Sequence, residues 1–179
     1  GASASRIPNR VSIHDRPAII NAKTEFGHFE GDLMSYQKNS QHMLVLRERK
    51  TAFVMSARLP NKTAQATSKA CDRLMRLLPK AARKSCTFDN GSEFTNHGDF
   101  AKPLGMDIYF CDPYKSWQKG GIENANGQLR HDLPRKTDLW GMKEEDFDEI
   151  IWNYNTTPKK ALGFKTPLEV FTENIKKAA

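Results

Sequence analysis

Three acidic residues in this sequence could do metal chemistry if folding gathers them: Asp32, Asp89 and Glu123. Asp32 lies in the stretch "HFEGDLMSY" (28–36), whose alternation reads as a strand. His28, Glu30 and Asp32 then share one face, because side chains repeat every second residue. Asp89 closes the short run Lys84-Ser85-Cys86-Thr87-Phe88 and is followed at once by Asn90-Gly91, a turn pair that accepts positive φ at little cost. Glu123 opens a helical stripe. Carboxylates that converge repel one another unless cations sit between them. Oxygen-only ligands select hard ions such as Mg²⁺. Two such ions held ~3.5–4 Å apart clamp the attacking and leaving oxygens of an in-line phosphoryl displacement. Taken singly, each acid reads as an ordinary surface residue. The triple is what suggests a site.

The elements that must position these acids are legible as patterns. "HMLVLRE" (42–48) and "AFVMSARL" (52–59) read as two further strands joined as a hairpin. Between Asn61 and Leu78, bracketed by Pro60 and Pro79, the set Ala66, Ala70, Leu74 and Leu78 steps by four as a helix stripe would. The strand that ends at Asp89 leads into a short helix through Phe94 and Phe100, then a strand "MDIYFC" (106–111). Ile122, Ala125, Leu129 and Leu133 form the stripe of the Glu123 helix, closed by Pro134. A helix over about 143–155 turns Phe147, Ile150, Ile151 and Tyr154 inward and sets Glu144, Glu145 and Asp146 at its positive end. Thr166-Pro167-Leu168-Glu169 is a capping box that starts the last helix. Trp140, Trp152 and the methionines read as core. Three early strands followed by alternating helix and strand predict an α/β domain, a mixed sheet with helices on both faces. Asp32 and Asp89 would then face each other across neighbouring strands, with Glu123 approaching from a helix above.

The 179 residues suit one domain with a proper core, and 38% hydrophobic with 27% charged residues reads as soluble and globular. The net charge of +7 favours a polyanionic partner, although many basic proteins bind no nucleic acid. Cys71, Cys86 and Cys111 show no paired spacing, which argues against a disulfide scaffold. Five histidines and three cysteines without short-spaced pairs argue against zinc. No apolar stretch approaches membrane-spanning length, and no signal peptide is visible. The opening Gly1-Ala2-Ser3-Ala4-Ser5 reads as a cloning scar or trimmed linker, as if a domain had been cut from a longer protein.

Four segments in order, "GHFEGDL", "TFDNGSEF", "FCDPYKSWQKGGIENANGQLR" and "LGFKTPLEVF", resemble the transposases of insertion-sequence-30-type bacterial elements, within the DDE transposase and retroviral integrase superfamily. The resemblance runs from about His28 to Phe171; its most specific part is Asp89-x33-Glu123, with Asn-Gly after the aspartate and Glu-Asn-x-Asn-Gly around the glutamate. It implies that Asp32, Asp89 and Glu123 are catalytic and ligate two divalent ions, Mg²⁺ or Mn²⁺. It implies a ribonuclease-H-like fold, a five-stranded mixed sheet flanked by helices, in which Asn90 and Gly91 let the backbone clear the metal and the DNA. The expected division is an N-terminal extension to residue 22, the catalytic core over 23–165 and a C-terminal helix over 166–179. The resemblance also implies DNA partners (transposon ends and target), a homo-oligomer in the active complex, and a cytoplasmic, nucleoid-associated bacterial protein without membrane attachment.

Residues beside the acids extend the expected site. The loop from Asp112 to Gly121 interleaves Tyr114 and Trp117 with Lys115 and Lys119. Aromatics can stack on unpaired bases and lysines neutralise phosphates, so it reads either as a DNA-contacting loop or as a plain surface loop whose Trp packs on the domain. Asn124, Asn126 and Arg130 lie off the apolar stripe of the Glu123 helix, where they could touch phosphates or simply face solvent. His97 could orient water or a phosphate, or be structural. His28 and Glu30 could support Asp32 from behind, and Glu30 could compete as a ligand. The expected activity is hydrolysis of a phosphodiester at the transposon end, then strand transfer of the 3′-hydroxyl into target DNA. The alternatives are a simple nuclease of the same fold and a non-catalytic DNA-binding module.

Overall fold

The computed structural model of the chain describes residues 7–179, so the opening pentapeptide lies outside the described residues. Strands β1 (His28–Tyr36), β2 (Gln41–Glu48) and β3 (Val54–Leu59) form an antiparallel meander. Strands β4 (Ser85–Phe88) and β5 (Asp107–Phe110) continue the sheet in parallel, giving the order β3-β2-β1-β4-β5. Among the described residues six α-helices accompany it: α1 (Ala18–Asn21), α2 (Ala64–Met75), α3 (His97–Leu104), α4 (Ile122–Asp132), α5 (Glu144–Asn155) and α6 (Pro167–Ala178). This is the mixed α/β sheet expected, with the expected meander and parallel pair.

Alternation along β1 divides the interior into two cores. Phe29 points with Leu44, Leu46, Cys86 and Phe88 toward α2 and α3, which contribute Ala70, Cys71, Phe100 and Leu104. Met34 and Tyr36 point the other way with Met43 and Val45, under Ile122, Ala125 and Leu129 of α4 and Phe147 and Tyr154 of α5. Ile122 and Leu129 are 0% and 2% exposed, so each contributes about 1.5–3 kcal/mol of burial that holds α4 on the sheet. The start of α4, which carries Glu123, is therefore fixed by its apolar stripe. Helix α6 opens on the complete capping box at Thr166 and Glu169. Its Phe171 stacks on Phe53 at 4.1 Å and meets Phe26 edge-on at 5.2 Å.

Two sequence expectations need correction. Helix α2 is shorter than 61–78, starting after its cap Thr63 and ending at Met75, and its buried side is Thr67, Ala70, Cys71 and Met75. Ala70 and Leu78 are nonetheless buried and Leu74 packs against the same core, but Leu78 lies beyond the helix end, in the turn that leads to Pro79. Trp140 and Trp152, read as core, are 49% and 58% exposed. Trp152 falls off the α5 stripe, and Trp140 lies under the Arg58 guanidinium at 5.0 Å. For Trp152, position on the helix outranked apolarity.

The β2–β3 connection is organised from inside by one carboxylate. Glu48 is fully buried and accepts from the backbone N–H groups of Gly27, Lys50 and Thr51 and from the Thr51 hydroxyl at 2.8–3.1 Å. Burial nevertheless pushes its pKa above the ordinary 4.5, against those hydrogen bonds. A raised folded pKa means that this group favours folding below the unfolded value and loses that contribution as pH rises through the folded value. Glu48→Gln should therefore gain stability relative to the parent as pH rises from about 4.5 to neutrality, read as the difference in melting temperature. A difference that stays flat or shrinks over that window would contradict the assignment.

Candidate active site

The β1–β4 register places two of the acids. Glu30 pairs with Thr87, and the same register carried two residues further sets Asp32 opposite Asp89. Gly31 makes that approach possible, since a methyl there would lie 2.3 Å from the Phe88 ring. Asp32 accepts from the Leu33 N–H at 2.9 Å and from the Asn126 amide at 3.1 Å. Asp89 accepts from the Gly91 N–H at 2.8 Å. Neither Asn90 nor Gly91 uses positive φ, contrary to the turn expected from sequence; Gly91 has φ −62°. Asn90 instead ties the turn down, donating to the Cys111 carbonyl and accepting from Arg10 Nε at 2.7 Å. A Cβ at Gly91 would lie 2.5 Å from the Glu93 carboxylate, so a side chain there would have to push Glu93 aside.

The loop after β5 supplies an unexpected partner. Tyr114 and Lys115 are exposed and Trp117 is 61% exposed, so this Trp does not pack into the domain. Lys119, expected to face DNA, is completely buried. Its ammonium lies 3.5 Å from Asp32 Oδ1 and 3.9 Å from Asp89 Oδ2, ion-pair distances without a hydrogen-bond partner. Burial raises the Asp32 pKa; Lys119 opposes the shift and the charge on Asp89 adds to it. Glu123 sits exposed in the first turn of α4, where its carboxylate accepts from the Ser116 hydroxyl at 3.3 Å. Among the described residues, no three acidic, His or Cys side chains stand close enough to cage a metal as they are placed.

Under the loop lies an ionic platform that sequence reading missed. Glu30, wholly buried, accepts from Arg47 at 3.0 Å and from Arg49 at 3.1 Å, so both its oxygens are committed to arginines rather than to the acids beside it. Burial is the larger influence and raises the Glu30 pKa, with the two arginines opposing. Arg49 also donates to the Lys119 carbonyl. Gly120, at φ +123°, has no room for a Cβ, which would lie 2.9 Å from Arg49 and Glu30; at Gly121 it would lie 2.6 Å from the Arg47 guanidinium. The two glycines thus seat the loop on the platform. The signal was present: Arg47 and Arg49 are two apart on a strand end, and Arg47 is the hairpin partner of Glu30.

The remaining expected residues divide. Asn126 reaches Asp32, as above. Arg130 bonds the Ser35 carbonyl at 3.2 Å and lies 4.4 Å over the Tyr36 ring, so it braces the end of β1. Asn124 is exposed on α4, beside a cleft of about 630 Å³ that Arg47, Lys50, Lys159 and Lys160 line with Gln128. The two histidines are committed elsewhere. His28 is bonded to Ser85 and Glu25, both at 2.6 Å, at the start of β4, the end opposite Asp89. His97 bonds the Pro8 carbonyl at 2.8 Å and packs edge-on against Phe110. No helix among the described residues is long and apolar enough to cross a membrane.

Comparison with known proteins follows the same lines. No protein-family model matches the chain. It is 36% identical over 168 residues to the transposase for insertion sequence element IS1086 of Cupriavidus metallidurans, covering 94% of this chain and 50% of that protein. It is 37% identical over 169 residues to transposase InsI for insertion sequence element IS30A of Escherichia coli K12, covering 94% and 44%. The transposase for insertion sequence element IS4351 of Bacteroides fragilis is 34% identical, over 94% and 52%. The chain thus spans about half the length of the curated relatives it matches. In fold it is similar to the catalytic core domain of BIV integrase, with a TM-score of 0.67 at 21% identity, covering 84% of this chain and 97% of that one. Along nearly its whole length this chain is similar in sequence to transposases of bacterial insertion sequence elements, and it shares the fold of an integrase catalytic core.

Proposed function

We propose that this chain is the DNA-cutting and DNA-joining core of a transposase, with Asp32, Asp89 and Glu123 as its metal ligands. The observation that carries the reading is the placement of Asp32 opposite Asp89, with a buried, unbonded ammonium between them. A position that already takes a cation fits a divalent ion, and the donors are the oxygens that hard ions select. Asp32 and Asp89 would hold Mg²⁺ or Mn²⁺ between the strand ends, and Glu123 would complete a second position by leaving Ser116. Two bound ions would supply the charge that activates the attacking oxygen and neutralises the leaving one.

The chain's own residues position the rest. Asn126 holds Asp32 from α4 while Gly91 holds Asp89 from its own turn, so neither carboxylate is free to rotate away. Exposed Lys115 and Trp117 flank Ser116, the residue that bonds Glu123, and are suited to a phosphate and an unpaired base. The basic cleft along α4 offers a path for the duplex backbone. The likeness to insertion-sequence transposases supports the wider setting of this proposal: transposon ends and target DNA as substrates, a multimer pairing two ends, and the bacterial cytoplasm where that DNA lies.

The test supplies a labelled duplex with a free 3′-hydroxyl, a target duplex and Mg²⁺ or Mn²⁺. Joined product dependent on the metal is expected. Cutting without any joining would favour a simple nuclease, and neither reaction with either metal would remove the proposal.

A further inference from the structure

Lys119 differs from every other lysine read as a DNA contact, because the fold withdraws it wholly from solvent. A buried charge survives only beside opposite charge, and here that charge belongs to the two aspartates on the facing strand ends. The arrangement is built rather than incidental. Arg49 grips the Lys119 carbonyl, and Gly120 fits against Arg49 and Glu30, so the backbone is anchored while the side chain is delivered inward. On the same loop Ser116 holds the Glu123 carboxylate at 3.3 Å.

We propose that Lys119 is an internal counter-ion that occupies the cation position between Asp32 and Asp89, so that divalent metal must expel it, releasing the 112–121 loop and freeing Glu123 from Ser116 in the same event. The inference rests on the metal-dependent reading above. One ammonium offsets only part of the charge of two aspartates, whereas a divalent ion can offset both. The ammonium and the ion repel each other and cannot share the position. Exchange therefore favours the metal, at a cost in apparent affinity set by how often the lysine is seated. A lysine seated in about nine molecules of ten lowers that affinity roughly tenfold. Trp117 and Tyr114 lie on the same loop and move with Lys119, so metal loading also readies the loop for DNA.

Calorimetry with Mn²⁺ on the 179-residue chain, without DNA, tests the competition. Lys119→Gln and Lys119→Met should each bind Mn²⁺ about tenfold more tightly than the parent. A second measurement needs no variant: trypsin cleavage after Lys119, followed by mass spectrometry, should accelerate severalfold when Mn²⁺ is added to the parent chain. Variants that bind Mn²⁺ no more tightly than the parent overturn the proposal, as does cleavage after Lys119 that is unchanged or slowed by the metal. A parent chain that binds no Mn²⁺ removes the metal-dependent reading itself, and this inference with it. Parent binding with unaltered variant affinity removes the inference alone.

Discussion

Asp89→Asn is expected to leave a folded protein that neither cuts nor joins DNA. Asparagine keeps the shape and the oxygen that accepts from the Gly91 N–H at 2.8 Å, so the turn after β4 survives. What disappears is one of the two negative charges that face each other across β1 and β4. Chemistry that depends on charge held at one point loses transition-state and ground-state binding together, so the rate with Mg²⁺ should fall by at least about 10³-fold. The charge on Asp89 helps to raise the Asp32 pKa, so Asp32 should titrate closer to its ordinary value in the variant. A strand-transfer time course, with melting temperature as the control for folding, checks both halves. A variant that retains a tenth or more of the parent rate would remove Asp89 from the machinery, whatever the sheet geometry suggests.

The second large effect is on stability. Glu30→Ala should destabilise the protein by about 3–5 kcal/mol, because it strips the shared anion from two arginines held under the loop. In a chain of this size that is a fall of roughly 10 °C in melting temperature. The raised pKa of Glu30 means that desolvation outweighs the pull of the two arginines, yet breaking the network abandons buried charge. Arg49, with a nearly inaccessible side chain, should suffer most, and with it the grip on the Lys119 carbonyl. Glu30→Gln keeps an acceptor oxygen and should lose less than alanine. Denaturant unfolding of the two variants beside the parent is the measurement. A loss below about 1 kcal/mol for alanine would mean that water reaches the arginines and that the platform does not hold the loop.

Local patterning settled a large part of this protein. The alternation of "HFEGDLMSY" placed Glu30 and Asp32 on one face of β1, and the stripe Ile122, Ala125 and Leu129 set the face of α4 and hence the position of Glu123 at its start. The capping box at Thr166 fixed the beginning of α6 to the residue. These features are encoded by neighbours in the chain, since strand and helix periods are properties of short contiguous segments.

Other features answer to groups remote in sequence. Lys119 reads as one more basic residue in a polar loop; only the convergence of Asp32 and Asp89 makes its burial affordable. Glu30 reads as a possible ligand until Arg47 and Arg49 arrive from the neighbouring strand. Periodicity sets the face that a side chain occupies, but its partner is decided by whatever packs across from it. Those partners lie 17 to 87 positions away in the chain, beyond the reach of any single strand or helix period.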